Sequence, residues 1–234
     1  MLRALDVATS IGVTLARLGL GGRVGPLGPR PEKTLELYEF EACPFCRKVR
    51  EALSILDLDA LVFPCPRGGP RYREAVKTRG GKYQFPYLVD PNTGEAMYES
   101  DAIVAHLFRR YGAGEPPALL RAPVLTDLSS ALASAARPGS GRRYRKARAP
   151  AEALELYSYE ASPFSRLARE VLCELELPYR LHNVAHGSPK RDAFVARSGK
   201  MQVPYLVDPN TGAAMFESAD IVRYLNGTYE IGGR

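Results

Sequence analysis

The chain contains the same long segment twice. Leu35-Glu36-Leu37-Tyr38 through Glu41-Ala42-Cys43-Pro44-Phe45-Cys46-Arg47 returns 119 residues later as Leu154-Glu155-Leu156-Tyr157 through Glu160-Ala161-Ser162-Pro163-Phe164-Ser165-Arg166. Pro86 to Gly94 returns unchanged as Pro204 to Gly212, and Met97-Tyr98-Glu99-Ser100 returns as Met215-Phe216-Glu217-Ser218. Such a period lies far above the roughly 20 to 50 residues of solenoid repeats, so each copy is expected to own a core. The expected organisation is an N-terminal extension over 1–33, a first domain over 34–112, a linker over 113–152 and a second domain over 153–230.

Composition sets outer limits on what these copies do. With 45% hydrophobic and 25% charged residues in 234, the chain has ordinary globular usage, which excludes disordered, collagenous and coiled-coil classes. No run approaches the roughly 18 apolar residues of a membrane span. The stretch from Leu2 to Leu20 is broken by Arg3, Asp6 and Arg17 and lacks the parts of a secretory signal. A net charge of +6 is concentrated in Arg137, Arg142, Arg143, Arg145, Lys146 and Arg148. With Tyr144 the one aromatic among them, that segment reads as a solvated linker, and no nucleic-acid partner is expected. Two of the four cysteines form Cys43-Pro44-Phe45-Cys46, which suits a reducing compartment better than a disulfide scaffold. Cytoplasmic residence is the expectation; the first 31 residues, whose one acid is Asp6, leave an organellar transit segment as the alternative.

Both copies read alike locally. Leu35 to Phe40 has a strand pattern, and Pro44 opens a helix with Val49, Leu53 and Leu56 on one face. Ala60 to Phe63 is a short apolar run, and a polar helix from Arg71 to about Arg79 ends at Gly80-Gly81. Tyr87-Leu88-Val89 and Glu95 to Tyr98 make a hairpin around Asp90-Pro91-Asn92-Thr93-Gly94. Ser100 is expected to cap a helix carrying Ile103, Val104, Leu107 and Phe108. The order βαβαββα predicts an α/β fold whose two tandem domains each hold a four-stranded mixed sheet. Between the copies a helix is expected near Val124 to Ala136, and residues 4–20 carry a further helical pattern.

This arrangement of strand, Cys-Pro-Phe-Cys, helix, Pro86 and Glu99-Ser100 resembles the glutaredoxins and the glutathione-binding N-terminal domain of glutathione S-transferases, both thioredoxin-like folds. The thiol argument also stands without the resemblance. A cysteine at the first turn of a helix faces unpaired N–H groups and the positive end of the dipole, and thiols so placed titrate at roughly 3.5 to 7.5. Cys43 is therefore expected to be the nucleophile, with Cys46, three residues on, within disulfide reach as the resolving thiol. A zinc site lacks a second cysteine pair, since Cys65 lies between prolines and Cys173 sits alone on an apolar helix face. His106, His182 and His186 are not spaced as a cluster, so no metal is expected.

The resemblance implies a cis Phe85-Pro86 bond beside the cysteinyl part of glutathione, with Glu99 and Ser100 holding the γ-glutamyl group. In the second copy serines replace both thiols, and a serine forms no exchangeable disulfide. Ser162, Val203, Pro204, Glu217 and Ser218 are still the counterparts of a glutathione site. The implied function is a glutathione-dependent thiol-disulfide oxidoreductase acting on a disulfide or glutathionylated substrate, with glutathione as cosubstrate. One alternative is transferase-like conjugation using Ser162. Another is a noncatalytic module binding glutathione or an iron-sulfur cluster.

Overall fold

The computed structural model describes residues 8–12, 19–121 and 140–232. The helix expected near 124–136 lies outside them, and of the pattern over 4–20 a helical turn at 8–12 is described. The first repeat runs β1 (Leu35–Glu39), α1 (Pro44–Ile55), β2 (Ala60–Pro64), α2 (Arg73–Gly80), β3 (Tyr87–Asp90), β4 (Glu95–Met97) and α3 (Ser100–Tyr111). A helical turn, α4 (Ala118–Arg121), follows. The second repeat runs β5 (Leu154–Ser158), α5 (Pro163–Glu174), β6 (Tyr179–Asn183), α6 (Arg191–Ser198), β7 (Tyr205–Asp208), β8 (Ala213–Phe216) and α7 (Ser218–Tyr229). The βαβαββα order holds in both.

Local chemistry explains the boundaries. Pro44 and Pro163 occupy the first helical positions, where a missing N–H costs nothing. Gly81 and Gly199 end α2 and α6 in left-handed conformations, each with φ of 84°. The cap of α3 differs from expectation. Glu99 is the capping residue, with φ of 66°, and Ser100 is the first residue of the helix. Glu217 and Ser218 repeat this at α7.

The two four-stranded halves do not remain separate sheets. One eight-stranded sheet runs β4-β3-β1-β2-β6-β5-β7-β8, closed in the middle by antiparallel pairing of β2 with β6 through Ala60–Leu181, Leu61–Arg180 and Val62–Tyr179. Within each half the pair nearest the join, β1 with β2 and β5 with β6, is parallel and the remaining pairs are antiparallel. The join has a plain cause: β2 and β6 would each be the edge strand of its own half, and pairing them satisfies backbone groups that would otherwise stand open. The core follows the sheet. Leu35, Leu37, Val49 and Leu53 belong to one buried cluster with Leu154, Leu156, Leu172 and Leu181. Each repeat keeps for itself a smaller cluster on the opposite face, around Tyr38 and Tyr87 in one and Tyr157 and Tyr205 in the other.

The basic segment before the second repeat is not simply solvated. Arg145 pairs with Glu174 at 2.9 Å and Glu230 at 2.7 Å, and the backbone at Arg143 forms a β-bridge with that at Arg67. Arg23, ahead of the first repeat, likewise bridges His186 of the second. Each lead-in segment is thus bound to the opposite repeat.

Candidate active site

At the first repeat, β1 runs through the turn Phe40-Glu41-Ala42 into α1, which places Cys43 at the N-cap. The Cys46 N–H donates to Cys43 Sγ at 3.3 Å, and the Cys43 N–H donates to the Phe40 carbonyl at 3.0 Å. Burial alone would push the Cys43 thiol up. Hydrogen bonds from Cys46, through its side chain and its backbone, and from the Phe45 N–H outweigh burial and the nearby Glu39 charge, and hold it below its ordinary value. Cys46 moves the other way, well above, through burial, its bond to Cys43 and the charges of Cys43 and Glu39. One thiol is poised to ionise and its neighbour to stay protonated.

The peptide bonds Phe85-Pro86 and Val203-Pro204 are both cis. Phe85 meets Phe40 edge-on at 6.2 Å and lies under the Arg73 guanidinium at 4.7 Å. Glu99 accepts a hydrogen bond from the Gln84 side chain, ahead of the buried Ser100.

The second repeat shows what this arrangement encloses. A cavity of about 430 Å³ is lined by Ser162, Val203, Pro204, Glu217 and Ser218, every residue expected there. Tyr159, Phe164, His186, Arg191, Met201 and Gln202 also line it and had not been expected. Gln202 had a readable signal, since it precedes Val203-Pro204 as Gln84 precedes Phe85-Pro86. The Gln202 side chain donates to Glu217, as Gln84 does to Glu99. Ser162 Oγ accepts the Ser165 N–H at 3.2 Å, which copies the sulfur contact of the first repeat with oxygen. Although only 2% exposed, Ser162 borders the cavity, so the 3% exposure of Cys43 at the matching position does not mean that it is sealed.

Beneath both helix starts lies a buried charge cluster that sequence reasoning missed. Arg50 on α1 contacts Glu39, Glu41 at 3.3 Å and Glu160 at 3.0 Å. Arg169 on α5 contacts Glu41 at 3.1 Å and Glu160 at 2.8 Å. Glu41 and Glu160 each stand two residues before Cys43 or Ser162, and the arginine of the opposite repeat grips each. Gly141 and Gly21, at φ of 67° and 80°, press on Glu41 and Glu160; a Cβ on Gly141 would fall 2.7 Å from that of Glu41. Cys65 and Cys173 are also buried, and Cys173 borders the cluster, its Sγ accepting the Glu41 N–H at 3.4 Å. Among the described residues no three His, Cys, Asp or Glu side chains are grouped to hold a metal ion, and no helix is long and apolar enough to cross a membrane.

Comparison with known proteins agrees with the geometry. The chain is 35% identical over 60 residues to the Glutathione S-transferase-like protein tpcF of Aspergillus fumigatus, covering 26% of this chain and 27% of that protein. It therefore spans about a quarter of the length of that curated relative. Among solved structures, a Bombyx mori glutathione transferase shares 24% identity over 37% of this chain and 39% of its own, with a TM-score of 0.33. The trimeric glutathione transferase TDR1 of Leishmania shares 15% identity over 86% of this chain and 68% of its own, with a TM-score of 0.31. The family described as Glutathione S-transferase, N-terminal domain matches residues 37–117 and again 156–232, well over half of the sequence. On those two matches, one in each repeat, the chain belongs to the glutathione S-transferase N-terminal domain family.

Proposed function

We propose that the first repeat is a glutathione-dependent thiol-disulfide oxidoreductase with Cys43 as nucleophile and Cys46 as resolving thiol. The Cys43 thiolate attacks the glutathione sulfur of a mixed disulfide and releases the substrate thiol. Cys46 then attacks Cys43, releases glutathione and leaves a Cys43–Cys46 disulfide, which two further glutathione molecules reduce. Glutathione lies along Phe85-Pro86, with Glu99 and Ser100 at its γ-glutamyl end. The observation that carries this reading is the Cys43 sulfur at the cap of α1, accepting the Cys46 N–H at 3.3 Å with the second thiol three residues on. Four free cysteines suit a reducing compartment such as the cytoplasm.

The test is glutathione-coupled reduction of a small disulfide. Cys43→Ser is expected to abolish it, and Cys46→Ser to keep deglutathionylation by the single thiol. Full turnover by Cys43→Ser defeats the reading.

The cavity around Ser162 favours a role for the second repeat as well: glutathione binding without exchange. A second calorimetric binding site for glutathione that survives Cys43→Ser and is lost in Ser218→Pro, with the first-repeat site kept, supports it. A transferase reaction at the same place would instead show conjugation of glutathione to an electrophile, lost in Ser162→Ala.

A further inference from the structure

The turn that carries Cys43 is fastened from outside its own repeat. Arg169 on α5 donates to both carboxylate oxygens of Glu41, at 3.1 and 3.3 Å, the two-pronged geometry that fixes direction as well as distance. The Glu41 N–H donates to Cys173 Sγ at 3.4 Å, and the Ala42 N–H donates to the Gly141 carbonyl at 3.3 Å. Arg169 and Cys173 stand four residues apart on α5, so one face of that helix presents both to the turn. Cys173 Sγ in turn donates to the Gly141 carbonyl at 3.3 Å, which ties the two outside supports together. The first repeat adds Arg50, which donates to the Glu41 carbonyl at 3.2 Å, and the Phe40 carbonyl, which accepts the Cys43 N–H at 3.0 Å.

The same fastening runs in the other direction. Arg50 donates to Glu160 at 3.0 Å, the Glu160 N–H donates to Ser54 Oγ at 3.3 Å, and Ser54 Oγ donates to the Gly21 carbonyl at 2.6 Å. Arg50 and Ser54 precede Arg169 and Cys173 by 119 residues, and Gly21 precedes Gly141 by 120. Each turn is therefore clamped by the helix and the lead-in segment of the other repeat. The second repeat has lost its thiols and has kept its clamp on the turn that bears them.

We infer that the second repeat positions the reactive thiol of the first, with Arg169 as the positioning residue that acts through Glu41 to keep Cys43 at the cap of α1. This rests on the exchange reaction proposed above. Cys43 holds the cap with φ of −76° and ψ of 123°, and its sulfur accepts the Cys46 N–H at 3.3 Å. Those angles follow from where the turn ends, and the turn is pinned at Glu41 and Ala42. A displaced turn would carry the sulfur off the cap, away from the N–H groups and the dipole end that favour a thiolate. The titratable groups facing Cys43 are Cys46 on α1 and Glu39 at the end of β1. Moving the clamp leaves both of those in place, so its effect is read at the sulfur.

The readout is the rate of Cys43 alkylation by iodoacetamide in the full chain, followed by peptide mass spectrometry between pH 5 and 9. Gly141→Ala sets a Cβ 2.7 Å from that of Glu41 and pushes the turn from outside the first repeat. It is expected to slow labelling about ten-fold at pH 6 and to come within about two-fold of the parent at pH 9, where an ordinary thiol is itself ionised. Arg169→Gln should act in the same sense, and Arg169→Lys should recover part of the loss. Gly21→Ala is the mirror control: it is strained in the same way, at φ of 80°, and its Cβ falls 3.0 Å from that of Glu160 in the other turn. Its Cys43 profile should match the parent, which a general loss of stability would not allow. A parent-like profile in folded Gly141→Ala and Arg169→Gln overturns the inference, and so does equal slowing by Gly21→Ala. Should neither variant of the clamp fold, Cys173→Ala, which deletes the acceptor of the Glu41 N–H, carries the test. Slower labelling at pH 6 that Cys173→Ser restores supports the inference, and an unchanged rate overturns it. A parent Cys43 that labels at pH 6 no faster than an ordinary thiol would instead refute the exchange reaction itself.

Discussion

Asp90 shows how much one buried carboxylate organises. It accepts hydrogen bonds from His106 Nε2 at 2.8 Å, Tyr111 Oη at 2.7 Å and the Asn92 N–H at 2.9 Å. Burial alone would raise it, yet these bonds outweigh burial and hold it at about 2. Since the folded value lies below the unfolded one, its stabilisation is complete above the ordinary carboxylate range and is lost as pH falls through that range toward 2. The loss is about 2 kcal/mol. Urea unfolding between pH 2 and 6 should show this acid limb, and Asp90→Asn should flatten it. Asp208 is held down in the second repeat by Tyr229, Tyr224 and Asn210, and adds to the same limb. At Glu217 the backbone is strained, with φ of 64° in a residue that has a Cβ. Glu217→Gly should raise stability by about 1 kcal/mol and weaken glutathione binding to the second repeat at least ten-fold, read by thermal unfolding and calorimetry. A gain in stability with unchanged binding would remove Glu217 from that site.

Helices α1 and α5 carry the two candidate sites and the arginines that join them. Glu160 is wholly enclosed and held low, against its burial, by Arg169, Arg50, Arg166 and Arg47. Removing one partner from such a cluster leaves the others charged and without water, which costs about 3 to 5 kcal/mol. Glu160→Gln should therefore lower the unfolding free energy by that amount in denaturant titration. Glu39 acts in the opposite sense. Its folded value lies above its unfolded one, so its contribution declines as pH rises from about 4.5 to 7, and Glu39→Gln should remove that slope. The elements themselves were legible, because Pro44, Gly81, the hairpin turn and the period of Val49 and Leu53 are local signals. The cap at Glu99 was not, since a serine before an apolar stripe reads as a cap wherever it stands. Nor was the charge cluster, whose members lie on four segments scattered along the chain.

For the whole molecule the continuous sheet makes a different demand from that of two beads on a string. Because β2 pairs with β6 and the main core draws on both repeats, unfolding should be one cooperative transition, with calorimetric and van't Hoff enthalpies in agreement. The second repeat expressed alone from residue 140 would expose the β6 edge and half of the shared cluster. It should aggregate or self-associate in sedimentation; a stable monomeric fragment would show that the halves are independent.

Duplication, the order of elements in each copy, the thiol pair at a helix start and its replacement by serines can all be read along the chain, for each depends on neighbours a few residues away. How the copies meet cannot. The β2–β6 join, the exchange of arginines between the two reactive loops and the cavity walls contributed by Tyr159, His186 and Arg191 arise from residues brought together by folding. Burial shifts the pH at which the clustered acids and thiols ionise, and burial has no meaning until the two halves have closed on one another.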